Sequence, residues 1–331
     1  MKLAVSVVIP TYNSAHFIRD SLQSIFAQTQ LPNEILIVDD KSSDQTLSVV
    51  EQLRKEAPCE LRVIELRQNS GGPVTPMNAG VEAARSEYIA MLDHDDRMLP
   101  ERLAAALPCL EENENVGIVF NQFDFFDETC SSFMLAERRY DYLGSAAQTI
   151  PAKEAFRSLI LQGFPYGGAG GMLFRKTAWK QVGGFRTQFR IVWDYDFGLR
   201  TASRGWDVFY LPRILFQHRR HANNLEAVDG GQRNSLEHFE LLNELVQQRD
   251  LDVQLVQHLQ QKLEKYIFRL ADTEVLRKNN RLAAAYYWQA LQKGLQPARA
   301  MRGFLRLPYR FLRNSLGLSN KGDSIAEATD C

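Results

Sequence analysis

Residues 87–100 have the sequence EYIAMLDHDDRMLP, an apolar run that ends in three carboxylates, Asp93, Asp95 and Asp96. A short apolar run bounded by charged residues predicts a buried strand. Ligands of open α/β sheets bind beyond the carboxyl ends of the strands, and clustered carboxylates repel one another unless a cation lies between them. The stretch therefore predicts either a divalent-cation site or a solvated acidic turn before a helix that begins near Pro100.

Two earlier apolar runs also end in polar clusters. Residues 3–9 are followed by the sequence Pro-Thr-Tyr-Asn, and residues 34–38 are followed by Asp39 and Asp40. Helical patterns separate the runs, and strands that alternate with helices predict a parallel sheet covered by helices. Because the carboxyl ends of parallel strands share one edge, we expect the three clusters to lie together. This shared edge favours a ligand site over three unrelated turns.

The character of the sequence changes near residue 230. Strand signals stop there, and helical periodicity dominates to about residue 316. We therefore expect an α/β domain over residues 1–230, a helical C-terminal region over 231–320 and a disordered tail over 321–331. No stretch approaches the roughly 20 apolar residues that a membrane-spanning helix needs.

Composition excludes several classes of protein. The formal net charge of −1 gives no sign of a nucleic-acid-binding protein. The chain has four cysteines, which form no Cys-x-x-Cys pair and therefore indicate neither a zinc site nor a disulfide framework. No signal peptide is evident, because the apolar N-terminal run is too short. These features predict a cytoplasmic protein with reduced thiols.

The segment 297–316 is basic and amphipathic. It contains five arginines between apolar residues, namely Arg299, Arg302, Arg306, Arg310 and Arg313. Such a segment can lie on an anionic membrane surface, which would place the protein at the inner face of the plasma membrane. The alternative is a helix packed on the protein with its arginines in solvent. Pro308 interrupts the pattern and favours this alternative.

The motifs resemble those of family 2 glycosyltransferases, in the same order. The matching segments are VSVVIPTYN at 5–13, EILIVDDKSS at 34–43, LDHDD at 92–96, GGF at 183–185 and DYDFGLR at 194–200. The resemblance covers about residues 2–224. It implies a GT-A fold, which is a Rossmann-like mixed sheet flanked by helices. It also implies a nucleotide-sugar donor, Mg²⁺ or Mn²⁺ as cofactor, and inversion at the anomeric carbon.

The resemblance implies which residues bind the donor. Thr11 and Tyr12 would hold the nucleobase, and Asp40, with Asp39 beside it, would accept a hydrogen bond from a pyrimidine N–H. The alternative for the two acids is a turn into the next helix. The full donor-binding set is Pro10, Thr11, Tyr12, Asp39, Asp40, Asn69, Asn78, Asp93 and Arg219. Met77 departs from the family pattern, in which an Arg is common at this position.

The metal site would be formed by the Asp-x-Asp motif of Asp93 and Asp95, with His221 as a further ligand. Asp96 would support these residues, whereas His94 is expected to be a strand-end side chain. Arg219, His221 and Asn224 match an Arg-x-His-x-x-Asn motif of the family, in which the cationic residues would hold the diphosphate or complete the metal shell. The alternative is a surface loop within a basic patch that includes His218 and Arg220.

Asp194 matches the catalytic base of the family, which removes a proton from the acceptor hydroxyl. Trp193 stands where a Glu is usual, so Asp196 is the rival base. Trp193 could stack on an acceptor sugar, although a core position is the commoner one for a lone Trp. The glycines of residues 167–171 would lie near the acceptor.

The implied activity is that of a metal-dependent hexosyl- or N-acetylhexosaminyltransferase. It would move a sugar, UDP-linked by preference, to a glycan or lipid-linked acceptor in cell-surface polysaccharide biosynthesis. A nicotinamide-dependent oxidoreductase would need Gly-x-Gly-x-x-Gly after the first strand, and that sequence is missing. A nucleotidyltransferase would need a Gly- and Lys/Arg-rich loop there, which is also missing. The remaining alternative is a catalytically degenerate nucleotide-sugar-binding or scaffolding protein. Trp193 favours it, and the intact Asp93, Asp95 and Asp194 oppose it.

Overall fold

The computed structural model describes residues 4–127, 132–133, 143–163, 169–221, 224, 231–248 and 250–307. The chain divides into two compact units, Met1–Val228 and Asp229–Cys331. The predicted tail over 321–331 lies outside the described residues. The predicted domain limits at 230 and 320 stay predictions.

The first unit contains ten described strands and seven described α-helices. The strands are Val5–Thr11 (β1), Glu34–Asp39 (β2), Glu60–Glu65 (β3), Tyr88–Met91 (β4), Arg97–Met98 (β5), Val116–Phe126 (β6), Ser132–Phe133 (β7), Gln148–Ile150 (β8), Met172–Arg175 (β9) and Asp207–Arg219 (β10). The helices are Ile18–Phe26 (α1), Thr46–Arg54 (α2), Val74–Ala83 (α3), Arg102–Glu111 (α4), Ala152–Gln162 (α5), Lys176–Gln181 (α6) and Trp193–Ser203 (α7).

All ten strands belong to one mixed sheet, with the order β3-β2-β1-β4-β9-β6-β10-β5 and with β7 and β8 pairing to β6 and β10. Strand β1 runs parallel to β2 and to β4, whereas β9 runs antiparallel to β4 and β6. The carboxyl ends of β1, β2 and β4 therefore meet at one edge. This is the arrangement that the three polar clusters predict.

The centre of the sheet is buried on both faces. Every residue of β1 and β2 is buried, as expected for parallel strands covered by helices. Helix α3 lies so close to this surface that a Cβ on Gly80 would come within 2.3 Å of Val8 Cγ1. Glycine is therefore required at position 80, where the helix crosses the sheet.

A buried arginine joins two strands beneath the acidic stretch. The side chain of Arg102 is fully buried at the start of α4. Its Nη1 donates to the carbonyl of Met91 at 3.1 Å, and its Nη2 donates to the carbonyl of Met172 at 2.9 Å. Arg102 therefore donates hydrogen bonds to the last carbonyl of β4 and to the first carbonyl of β9 in a buried site.

Two local predictions are wrong. The sequence predicts two short strands, over 206–211 and 214–219. The structure instead has the single strand β10, which continues past Pro212 with register shifts between Leu211 and Phe216. A proline is tolerated in a strand at such an irregularity. The sequence also predicts that Ser14 caps the first helix, because Ser is a common N-cap residue, and this prediction is incorrect. Its hydroxyl makes no hydrogen bond, and α1 begins four residues later with no side-chain cap.

The second unit is helical in its described part. Its helices are Gln232–Leu245 (α8), Val253–Leu276 (α9), Asn280–Gln292 (α10) and Pro297–Leu305 (α11). Asp252 and Asn279 cap α9 and α10 with hydrogen bonds to the third residue onward, as N-cap side chains do. No helix within the described residues is long and apolar enough to cross a lipid bilayer.

Candidate functional site

The end of β2 organises the loops beside it. Thr11 pairs in register with Asp39, and the Asp39 carboxylate accepts hydrogen bonds from the Thr11 hydroxyl at 3.3 Å and from the Ser42 amide at 2.9 Å. Asp39 is therefore anchored in the sheet edge. Tyr12, one residue past β1, is 45% exposed, so its ring is available to a ligand.

Asp40 holds a second loop against the same edge. Its carboxylate accepts from the Ser70 amide and from the Ser70 hydroxyl, each at 2.9 Å. The side chain of Asn69 donates to the Asp40 carbonyl at 3.0 Å. Asp40 and Asn69, both predicted to bind the donor, are therefore adjacent in space.

Asn78 lies on α3 and is bonded to the segment that precedes α7. Its Nδ2 donates to the Phe185 carbonyl at 2.8 Å, and its Oδ1 accepts from the Phe185 amide at 2.9 Å. These two hydrogen bonds position the Gly-Gly-Phe segment. Met77, beside it, is buried in the core. This part of α3 therefore holds the segment that precedes α7. The burial of Met77 explains why an apolar residue stands at that position.

Two carboxylates of the acidic stretch each have a histidine partner. Nε2 of His221 lies 2.9 Å from Oδ2 of Asp95, and Nδ1 of His218 lies 3.1 Å from the carboxylate of Asp96. The Arg219 amide also donates to Asp96 at 2.9 Å. The acidic stretch, which follows β4, is therefore bonded to the end of β10.

The charges of this cluster perturb its pKa values. Burial and then the negative charges of Asp96 and Asp95 hold the pKa of Asp93 well above its usual range. Burial also raises the pKa of Asp95, but the charge of His94 and the hydrogen bond with His221 lower it by more, to well below its usual range. Asp95 is consequently ionised at neutral pH, and negative charge is concentrated around Asp93.

His218 supplies a positive charge to the cluster. Burial lowers the pKa of His218, but the charge of Asp96 and its hydrogen bond raise it to about 9. The imidazole is therefore protonated at neutral pH and neutralises Asp96. Asp96 is fully buried, so it supports the cluster from beneath.

Arg219 is enclosed below the acidic stretch. Its guanidinium lies over the rings of Phe126, at 4.2 Å, and Phe17, at 5.2 Å. Its Nε donates to the Asp95 carbonyl at 2.8 Å, and its Nη2 donates to Asp20. These contacts make Arg219 a support for the loop that carries Asp95. Its predicted contact with the donor stays a prediction.

The Arg-x-His-x-x-Asn motif closes a turn. The Oδ1 of Asn224 accepts from the His221 amide at 2.6 Å, and its Nδ2 donates to the Arg219 carbonyl at 3.1 Å. The ring of His221 stacks on Phe17, with centroids 4.5 Å apart. The three motif residues therefore form one unit that fixes the His221 imidazole against Asp95.

Asp194 lies in the first turn of α7, next to the acidic cluster. Its Oδ1 accepts from the Tyr195 amide at 2.7 Å, and its charge is among those that raise the pKa of Asp93. The rival base, Asp196, is fully buried. One of its oxygens accepts from Arg186 at 2.9 Å, and the other accepts from Arg200 at 2.8 Å.

Trp193 and the glycine-rich segment have structural explanations. Trp193 is 5% exposed and packs edge-on against Phe185, with centroids 4.9 Å apart. This agrees with the core position and not with stacking on a sugar. Gly170 is buried, and a Cβ there would lie 2.6 Å from the ring of Phe216. Residues 164–168, which include part of the segment predicted near the acceptor, lie outside the described residues.

Several supporting residues were not found from the sequence. Asp20 accepts from both Arg97 and Arg219, and the Ser21 hydroxyl donates to the His94 carbonyl at 2.7 Å. Both lie on α1, where a polar side chain gives the same signal whether it faces solvent or a distant loop. The register of the amphipathic pattern could have identified Ser21, because it falls on the apolar face.

Whether Asp93, Asp95 and His221 could hold a metal ion depends on how their oxygen and nitrogen atoms are arranged. Within the described ranges, no group of three or more His, Cys, Asp and Glu side chains is arranged to hold a metal. His221 and Asp95 bond to each other, so the predicted three ligands do not form a ready-made cage. Mg²⁺, however, is usually held by one or two carboxylates together with phosphates of the substrate. The raised pKa of Asp93 shows excess negative charge that a cation would relieve.

The chain was compared with known proteins. It is 38% identical over 114 residues to the poly(ribitol-phosphate) beta-N-acetylglucosaminyltransferase TarS of Staphylococcus aureus, a match that covers 33% of this chain and 19% of TarS. This chain therefore matches about a fifth of that relative.

Two solved structures share the fold. TarS residues 1–349 in complex with UDP-GlcNAc match with a TM-score of 0.67 and 18% identity, over 98% of this chain and 95% of that one. The mannosyltransferase PcManGT of Pyrobaculum calidifontis, in complex with GDP-Man and Mn²⁺, matches with a TM-score of 0.60 and 19% identity, over 96% and 84% of the two chains. The observed sheet is therefore that of the GT-A glycosyltransferases, as the sequence predicts.

The family model "Glycosyl transferase family 2" matches residues 6–183. This range includes the ends of β1, β2 and β4 and all three carboxylates of the acidic stretch. The chain belongs to glycosyltransferase family 2.

Proposed function

We propose that the protein transfers a sugar from a UDP-linked donor to a glycan or lipid-linked acceptor of cell-surface polysaccharide biosynthesis, with inversion at the anomeric carbon. The observation that carries the proposal is the convergence of the acidic stretch after β4, with Asp93 and Asp95, and the start of α7, with Asp194, whose charges interact. The name of the TarS relative and the UDP-GlcNAc in its complex support an N-acetylhexosaminyl donor. GDP-mannose, bound by the second structural neighbour, is the competing donor type.

The donor would lie along the edge formed by the ends of β1, β2 and β4. Asp40, fixed by Ser70, would accept from the N–H of uracil, and the exposed ring of Tyr12 would stack on the base. A carboxylate at this point disfavours bases that present an acceptor there. Asn69 and Thr11 would support this pocket through Asp40 and Asp39.

Asp93 and Asp95, with His221 beside them, would hold Mg²⁺ or Mn²⁺. The ion would supply Lewis-acid stabilisation of the negative charge on the nucleoside diphosphate that leaves. Arg219 and Asn224 would keep the His221 ring and the Asp95 loop in place. Asp96 and His218 would neutralise each other below them.

Asp194 would act as the general base. Its carboxylate takes the proton of the acceptor hydroxyl while that oxygen bonds to the anomeric carbon, and the bond between this carbon and the diphosphate oxygen breaks. The position of Asp194 in the first turn of α7 favours its ionised form, because the helix N-terminus is positive. Asp196 is bound to two arginines and is therefore the poorer base.

A donor screen with Mn²⁺ or Mg²⁺ tests the proposal. We expect release of a nucleoside diphosphate from one UDP-sugar in the presence of acceptor. UDP binding without turnover of any donor would contradict the proposed enzymatic activity and would favour a catalytically degenerate nucleotide-sugar-binding protein. Turnover of GDP-sugars alone would contradict the assigned base recognition.

Two substitutions separate the proposed roles. Asp95→Ala is expected to weaken Mn²⁺-dependent UDP binding by about 100-fold or more, because it removes a ligand and not merely its support. Asp194→Asn is expected to leave UDP binding unchanged and to lower kcat by about 10²–10⁴-fold. Calorimetric titration with UDP and product release measure the two effects. Asp250→Asn, on the exposed surface of the second unit, is the matched control. Sugar transfer at the normal rate by the Asp194→Asn variant would show that Asp194 is not the general base.

A further inference from the structure

The second unit exposes three large apolar side chains close to one another in the fold. Trp288 on α10 is 50% exposed, and Met301 and Leu305 on α11 are 45% and 65% exposed. The ring of Trp288 lies against Phe304, with centroids 6.4 Å apart. Single exposed apolar residues are common on protein surfaces, whereas a group of neighbouring ones marks an interaction site.

The exposed faces of α11 are divided by chemistry. Ala300 and Phe304 are buried and hold the helix on its unit. Met301 and Leu305, four residues apart, form one stripe beside this buried face, and Arg302 and Arg306 form the next stripe. The described part of the basic segment is therefore a packed helix with exposed arginines, as one of the two alternatives predicted, but its apolar residues are not all used for packing.

The segment that carries these stripes has charged residues of one sign only. Residues 278–307 contain six Lys and Arg and no Asp or Glu, in a chain whose formal net charge is −1. Arg299 pairs with Asp272 at 3.3 Å. Arg302 and Arg306 have no acidic partner among the described residues, and both are exposed. Their positive charges are therefore available to an anionic surface.

We propose that Trp288, Met301, Leu305, Arg302 and Arg306, here named the basic-apolar patch, dock on the anionic surface of a phospholipid bilayer. The apolar side chains would enter the boundary between headgroups and acyl chains, where Trp is favoured. The arginines would lay their methylene stems along the apolar surface and direct their guanidinium groups to the lipid phosphates.

Binding of the full chain to lipid vesicles tests this inference independently of the proposed reaction, because no sugar transfer is measured. We expect the protein to cosediment with phosphatidylcholine vesicles that contain roughly one phosphatidylglycerol in three lipids, and not with phosphatidylcholine alone. Binding should decrease at high salt, because screening shortens the reach of the arginine charges.

Two variants and a control define the surface. Arg302→Gln with Arg306→Gln should weaken vesicle binding by about 25-fold, which is about fivefold for each charge removed. Trp288→Ser with Leu305→Ser should weaken it at high salt as well, because it removes the apolar contribution. Lys55→Gln with Lys153→Gln removes the same charge from exposed positions of the first unit and should leave binding unchanged. Thermal unfolding by circular dichroism checks that each variant is folded.

Two outcomes would overturn the inference. Failure of the wild-type chain to bind anionic vesicles at low salt would show that the patch is covered, by residues beyond 307 or by a second copy. Equal loss of binding in the control pair and in the arginine pair would show that binding reflects general charge and not this patch.

Discussion

Arg102 illustrates what a single residue contributes to this fold. Burial lowers the pKa of its guanidinium to about 9, while the charge of Asp96 opposes the shift. The side chain therefore remains charged at neutral pH inside the core. The free-energy cost of burying this charge is offset by its hydrogen bonds to the two carbonyl groups at the ends of β4 and β9. The sequence gives no sign of this role, because an arginine at the start of a helix is ordinarily a surface residue.

Arg102→Met should lower the free energy of unfolding by about 2–4 kcal/mol, because the carbonyls of Met91 and Met172 lose their donors in a buried site. Urea unfolding followed by tryptophan fluorescence measures the change. Arg204→Met, at an exposed position at the end of α7, should change it by less than about 0.5 kcal/mol. A similar small effect at Arg102 would mean that water replaces its hydrogen bonds.

Among the structural elements, the ends of the strands were the most predictable. The apolar runs of β1, β2 and β4 are short, and turn residues bound them, so their existence and their shared edge follow from the sequence. The sequence predicts two short strands in place of β10, because Pro212 and the exposed Arg213 interrupt its apolar pattern. It predicts no strand for the part of β6 after residue 121, since the aromatic and acidic residues there show no strand period.

The turn that Asn224 closes is expected to control metal affinity. Asn224→Ala removes the bonds to the His221 amide and the Arg219 carbonyl, which leaves the imidazole less well oriented. The affinity for UDP in the presence of Mn²⁺ should fall by about 10–100-fold, as for other groups that orient a metal ligand. Calorimetric titration with and without Mn²⁺ measures this.

A control for this turn is Asn234→Ala in α8 of the second unit, which should bind UDP normally. If Asn224→Ala weakened UDP binding equally without metal, the turn would support the nucleotide pocket and not the metal ligand.

At the scale of the whole molecule, the first unit has a hydrophobic core of its own. The main cluster of buried residues extends from Val5 to Leu215 and therefore lies entirely within Met1–Val228. The fold class of each unit could be predicted, because helix and strand periods differ along the chain. The contacts of Asp20 and Arg219 could not, since they join residues 199 positions apart with no local pattern.

A fragment of residues 1–228 is expected to fold and to bind UDP with an affinity within about threefold of the full chain, because all the described residues of the proposed donor site belong to the first unit. Circular dichroism and calorimetric titration test the two statements. A folded fragment that does not bind UDP would show that the second unit contributes to the donor site. Aggregation of the fragment would show that the first unit does not fold independently.

The bonds between the acidic stretch and the end of β10 also determine the order in which these residues can find their partners during synthesis. Asp95 meets His221 across 126 residues, and Asp20 meets Arg219 across 199. At typical translation rates, roughly 10 s pass between the synthesis of Asp95 and that of its partner. A nascent chain can pair β1, β2 and β4 during this interval, but its carboxylates still lack their counter-charges. The strands β1, β2 and β4 can therefore pair first, and the acidic stretch gains its histidine and arginine partners only after the end of β10 has been made.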